Sequence, residues 1–426
     1  MSSAPKTVNA PLDLSKWRSL PVKLTVVGLL VGLIGVIVSP TQFGYCYLVA
    51  YMFFLSLGLG ALWLVIIHHL FDAGWSVPIR RFCEHISQLL WKVLLPLFIP
   101  IAILAHKMYP WMMEKNPLAD HALHAKQPMF STAGFYVVSA FCFLVWWFLS
   151  TRLRYWSLEQ DKTGAALPTY KMRFYSGIGV LLFALTLTLA AVMWMKALEH
   201  EWFSTMYGVY YFAGSVWITV ATVYIITMIL DRQGVLTDVL HEHQYYFLGS
   251  VLFAFTVFYA YVTFAQYFII WNANMPEETF WYVVREKGAW WYAGLVIIFG
   301  HFFLPFLALL RIDVKNVFKI MVPLGVWTWL MHWVDLSFNI MPIPHPNGPP
   351  IGWILVTMGC WAFIAGIMVK VFLIEYAAHP PYPIKDPRLI EAMGYYHPVP
   401  TQISGGELDQ TDDLSTAPPQ FRGGKI

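Results

Sequence analysis

The sequence predicts an all-α integral membrane protein of about ten transmembrane helices, arranged as two parallel four-helix bundles plus two peripheral helices. Three observations predict it. Of 426 residues, 58% are hydrophobic and only 12% charged, where a soluble domain carries about 25% charged residues to face water. Apolar runs recur along the whole chain, each long enough at ~1.5 Å per residue to cross a ~30 Å hydrocarbon layer. Most of the basic residues fall on alternate loops and the two tails.

Lipid offers the backbone no hydrogen-bond partner, so such runs must be helices; a barrel would show alternation instead. The runs place spans near residues 22–39, 43–70, 86–105, 128–150, 173–197, 204–230, 244–272, 289–310, 316–337 and 350–375. The polar N-terminus has no cleavage-site pattern before the first run, which therefore reads as a retained span and not a signal peptide. With the N-terminus in the cytoplasm, all but six of the 27 Lys and Arg lie on the inner side, the exceptions being Lys107, Lys115, Lys126, Lys196, Arg285 and Lys287. The positive-inside rule then puts both termini on the cytoplasmic side of an inner membrane. The Pro-, Gly- and Asp-rich tail after Glu375 reads as an extended or partly disordered strap on that face.

Aromatic residues make up 17% of the chain, and many stand at span ends (Tyr45, Trp111, Trp202, Trp271, Trp291) as an interfacial belt does. No basic stripe or nucleic-acid motif is present, so nucleic acid is not an expected partner. Cys46, Cys83, Cys142 and Cys360 are isolated, so no zinc or cysteine-ligated cluster is expected. No span carries two well-separated histidines, the pattern of a transmembrane b-type haem protein, so no cofactor or metal is expected on this chain.

A faint repeat relates spans 2–5 to spans 6–9. Glu84-His85 opens span 3 and Glu242-His243 opens span 7, 158 positions later, while Asp72 and Asp231 follow spans 2 and 6. A four-span unit returns the chain to its starting side, so the copies are parallel. The expected division is a cytoplasmic segment 1–21, a peripheral helix 22–42, bundles 43–198 and 199–342, a peripheral helix 343–375 and a tail 376–426.

Ionisable groups inside lipid cost roughly 2.5–3.5 kcal/mol each on insertion scales, so each is a candidate for function. His301 lies mid-span. His332 and Asp335 are three apart and share a helix face, as a structural pair or as groups that exchange protons. His68, His69, Asp72, Glu84 and His85, with His241, Glu242 and His243, form a polar inner vestibule. Its plain reading is interfacial snorkelling; its functional reading is the mouth of a proton half-channel, continued by Thr219, Thr222, Tyr224 and Thr227. Between spans 7 and 8, Pro276 with Glu277 and Glu278 behind it signals a helix start. The segment to about Glu286 is expected to lie on the outer surface, with Asn274, Glu277, Glu278 and Trp281 as candidates for docking a periplasmic partner.

Three stretches carry a family resemblance over roughly residues 20–375: His69 to Arg81 (HLFDAGWSVPIRR) with Glu84, Gln266 to Thr279 (QYFIIWNANMPEET), and Trp333 to Leu336 running on to Met341-Pro342. With the layout of spans they make the chain resemble the NrfD/polysulfide-reductase membrane-subunit family, and within it the smaller of the two such subunits of alternative complex III. The resemblance implies a bacterial complex that oxidises menaquinol and passes electrons through c-type haems and iron–sulfur clusters on other chains. It implies as partners a paralogous NrfD-type membrane subunit, c-type cytochrome subunits, a periplasmic iron–sulfur/molybdopterin-like subunit and a terminal oxidase. In that family the larger paralogue is credited with quinol oxidation, leaving the smaller one structural or proton-conducting. Direct quinol oxidation by this chain is the second expectation, and a secondary transporter the third; transporters often show inverted repeats, and the repeat here is parallel.

Overall fold

A computed structural model describes residues 19–114, 120–349 and 351–393. Residues 1–18 of the expected cytoplasmic segment 1–21 and the tail beyond residue 393 lie outside them. Among the described residues every regular element is helical. Eight helices are long and apolar enough to cross a membrane, or nine if one bent pair is a single span.

The chain runs back and forth as α1 (Ser19–Val38), α2 (Pro40–Leu70), α3 (Val77–Leu97) with α4 (Ile99–Met108), α5 (Thr132–Thr163), α6 (Leu167–Glu199), α7 (Tyr207–Arg232), α8 (Glu242–Ala273), a short α9 (Pro276–Arg285), α10 (Gly288–Leu310), α11 (Phe318–Ile340), α12 (Ile351–Ala377) and a single turn α13 (Leu389–Ala392). The end where α1 begins is termed the near end, and the opposite one the far end.

Local chemistry sets the boundaries. Ser39 caps α2, accepting from the Gln42 amide, with Pro40 in the first turn, where its missing N–H costs nothing. Ser131 caps α5 in the same way, and Gly164, at φ +66°, ends it in the left-handed conformation glycine adopts freely. Span 3 was expected over 86–105. Instead α3 begins nine residues earlier, at Val77, and meets α4 at a 55° bend. Pro96 and Pro100 each delete a backbone bond there, a π-helical turn spans Leu90–Leu94, and the gap is filled by Phe98 against Trp194 and Phe143.

Two helices are enclosed by the rest. In their most apolar stretches 78% of α2 and 89% of α7 positions are buried, against 22–50% for the other six single spans. α2 and α7 lie side by side and parallel: Tyr211 donates to the Met52 carbonyl (2.8 Å) and Thr219 to that of Leu57 (3.0 Å). They approach closely at Gly60, where an added Cβ would stand 2.2 Å from Thr219 Oγ1 and 2.3 Å from the Ser215 carbonyl. α1 packs only at the edge, antiparallel to α12 through Gly28, Gly359 and Gly366. Its exposed flank of Val26, Val27, Leu30, Ile34 and Ile37 is suited to lipid.

Candidate functional site: a buried polar centre

His301, His332 and Asp335 converge in the core between α7, α8, α10 and α11, each fully buried, with a ligand-capable atom of each within 4.8 Å of the others. The sequence placed His332 and Asp335 on one face of a helix; the fold adds His301 from a neighbouring one. α10 delivers His301 through a π-helical turn, Ile297–Phe303, a distortion frequent at functional sites. Within it Gly300 lies where a Cβ would stand 2.5 Å from Met331 Sδ, so α10 and α11 approach closely, and the Gly300 carbonyl accepts from Trp327 Nε1 (2.8 Å). The His301 ring is clamped between Trp217 and Tyr259, both with centroids at 3.8 Å and planes 19° and 21° from parallel.

Asp335 takes one tyrosine hydroxyl on each carboxylate oxygen, Tyr259 at 2.7 Å and Tyr210 closer still. Asn339, one turn on, donates to the Tyr210 oxygen (2.7 Å) and accepts from Tyr207 (3.2 Å). Among the described residues no Lys or Arg pairs with Asp335, so nothing positively charged offsets a buried carboxylate. His332 Nε2 meets Ser56 Oγ at 2.8 Å, and Ser56 gives its one proton to the Phe53 carbonyl (2.7 Å). Nε2 must therefore be the donor, and His332 Nδ1 carries a bare lone pair. That nitrogen and both nitrogens of His301 have no hydrogen-bond partner, a condition that costs about 1–3 kcal/mol per buried group.

The vestibule residues separate into two sets at the near end. His68, His69, Glu84 and His85 are buried. Arg80 donates to His68 Nε2 (2.9 Å), so His68 Nδ1 donates to Ser76; these three groups border a cavity of about 270 Å³ walled by Leu64, Phe71 and Trp75. Glu84 accepts from Arg80 and Arg81, both at 3.0 Å. Arg154 donates to His85 Nδ1 (2.6 Å) and to Glu375 (2.7 Å). His241, Glu242 and His243 are exposed instead; His241 and Gln244 form a capping box on α8. The match of Glu84-His85 with Glu242-His243 thus joins a buried pair to a surface one. Asp72 is exposed and held by Arg173 and Arg388. Thr222 and Thr227 bond back to their own helix, Thr219 to its own helix and to α2, and Tyr224 to the Lys315 carbonyl, so all four are occupied in helix packing.

The segment after α12 does form a strap, as far as residue 393. Asp386 pairs with Arg80 and Arg388, the Ile384 amide with Asp161, and the Ala392 carbonyl with Gln244. Burial alone would raise the Asp386 carboxyl, but Arg80 and Arg388 hold it well below the usual carboxylate range. At the far end α9 forms where expected. Asn274 and Glu277 are exposed and Glu278 is half-buried, whereas Trp281 is buried, stacked on Trp202 at 4.7 Å beneath the Arg285 guanidinium, and so fastens α9 to the bundle.

Sequence reasoning did not select Ser56, Tyr210, Trp217 or Tyr259. Their signal is weak: hydroxyl and indole groups within apolar runs, where aromatic residues are abundant. Compared with known proteins, the chain matches no family model and no curated protein.

Proposed function

We propose that this chain is a membrane subunit, without a redox centre of its own, of a bacterial quinol-oxidising respiratory complex of the alternative complex III type, equivalent to its ActF-type subunit. The three NrfD-like stretches are the basis of this assignment. The observation that fits it best is the enclosed, parallel α2–α7 pair, which in this reading is the seam between two four-helix units. Counting α11 as a span gives ten, with α1 and α12 peripheral and the near end in the cytoplasm. In this reading the far end carries c-type cytochrome and iron–sulfur subunits, with Asn274, Glu277 and Glu278 as contact points, and a paralogous membrane subunit packs alongside. Menaquinol is the substrate of the complex, and a terminal oxidase stands downstream.

Purification in mild detergent tests the assignment. Haem-staining chains and a second polytopic subunit are expected to co-purify stoichiometrically; a chain that purifies alone, stable and haem-free, contradicts it.

The near-end network supports a second role, proton conduction from the cytoplasm. Buried, unpartnered atoms at His69 Nδ1 and Nε2, His85 Nε2 and Gln88 Nε2 are places where water would complete hydrogen bonds. In the reconstituted complex, His85→Gln is expected to at least halve proton translocation per quinol while electron transfer continues. An unchanged ratio rejects the route.

A further inference from the structure

We propose that His301, His332 and Asp335 form a binding site for one divalent cation of the zinc type. The inference concerns only this chain's own residues and stands whether or not the chain works in a respiratory complex. It runs against the expectation from sequence that no metal is bound, which rested on the absence of cysteine motifs and haem-type histidine pairs.

The donor set is in the state a metal requires. A histidine ligand must offer a lone pair from one nitrogen, and where the other nitrogen is held by a hydrogen bond that outer partner fixes the tautomer. His332 satisfies this through Ser56 and the Phe53 carbonyl, leaving Nδ1 bare. His301 has no hydrogen bond on either nitrogen, and the Trp217 and Tyr259 rings fix the plane in which its lone pair lies. Asp335 accepts from two tyrosines, which orient the carboxylate and leave lone pairs free, since its two oxygens offer about four acceptor sites. A buried carboxylate with no Lys or Arg paired to it among the described residues calls for a proton or a cation. The orphaned imidazole nitrogens favour a cation, which takes up one on each ring, whereas a proton on Asp335 satisfies none of them.

The geometry suits a small, borderline ion. Two ligands on one tetrahedral zinc at ~2.0–2.1 Å stand ~3.4 Å apart, and one ligand-capable atom of each residue already lies within 4.8 Å of the others. The remaining closure is of the order of a side-chain adjustment. Two imidazoles and one carboxylate select Zn²⁺ or a similar first-row ion over Mg²⁺ or Ca²⁺, which prefer all-oxygen shells. Three protein ligands leave a fourth position for water or hydroxide; with hydroxide the centre is electrically neutral, as its apolar surroundings demand.

The test is metal analysis of the full-length chain, purified with whatever chains accompany it from zinc-supplemented cells and washed with a mild chelator. About one zinc per chain is expected. His301→Gln and His332→Gln are each expected to lower this at least tenfold. His200→Gln, in the partly exposed Asp120–His200–Glu201 cluster, is expected to leave it unchanged. Should the two variants fail to fold, cobalt-loaded wild-type protein decides: intense visible d–d bands of a four-coordinate ion are expected. Zinc below a tenth of an equivalent, retention of zinc by both folded variants, or absence of the cobalt bands overturns the proposal.

Discussion

Gly60→Leu is expected to prevent the protein from assembling. The Cβ alone would meet Thr219 Oγ1 at 2.2 Å and the Ser215 carbonyl at 2.3 Å. A hydroxyl can rotate away, but a backbone carbonyl within a helix cannot. The extra atoms therefore force α2 and α7 apart along their whole contact, breaking the bonds from Tyr211 to Met52 and from Thr219 to Leu57. Overpacking in a filled core costs typically 1–3 kcal/mol and occasionally more; at a backbone-limited crossing between the two most enclosed helices we expect about 3 kcal/mol or more. Detergent-resistant, monodisperse protein should fall at least tenfold in size-exclusion chromatography, while Gly177→Leu, a position where a Cβ meets nothing, should leave the yield near wild type. A Gly60→Leu protein with unchanged yield and unfolding midpoint would show that the α2–α7 contact is looser than described.

Arg80→Ala is the second large effect. The Arg80 guanidinium holds His68, Glu84 and the strap residue Asp386 together, in a region where all four side chains are buried. Removing one partner of a buried ion pair typically costs 3–5 kcal/mol, because the charge left behind has lost its solvent as well as its partner. Glu84 retains Arg81 and Asp386 retains Arg388, so the lower end of that range is expected. The strap should also detach, since Asp386 is one of its main anchors. Limited proteolysis would then cut between α12 and α13 in the variant and not in the wild type. Because replacing both partners by apolar groups removes the stranded charge, Arg80→Met with Asp386→Leu should regain much of the loss. If the double variant is no more stable than Arg80→Ala, the Arg80–Asp386 pair is not the cause.

How far the sequence disclosed this arrangement depends on the element. The spans were legible because lipid enforces one backbone solution for every long apolar run, and α9 because Pro276 and two acids mark a helix start. The bend between α3 and α4 was visible only as two prolines, since periodicity does not say which way a broken helix turns. At the polar centre, His332 and Asp335 were legible together because three residues bring them onto one helical face. His301 could be selected only as a histidine in mid-span; that it meets the other two depends on a π-helical turn and on Gly300, neither of which leaves a periodic trace. Ser56, Tyr210 and Tyr259 were hidden among residues that apolar helices use routinely for packing. The vestibule was half legible: local sequence could not distinguish Glu84-His85, buried beneath a strap anchored more than 300 residues downstream at Asp386, from the exposed Glu242-His243.

The claim on which the respiratory account rests is that this chain is an indispensable platform for quinol oxidation by partner subunits. The most direct measurement is menaquinol-dependent reduction of the periplasmic electron carrier by membranes from cells lacking only this chain. The account predicts that the activity is lost, together with the haem-bearing partners from the membrane fraction, and that both return when the chain is supplied in trans. Membranes that oxidise menaquinol at the undiminished rate without it would contradict the account.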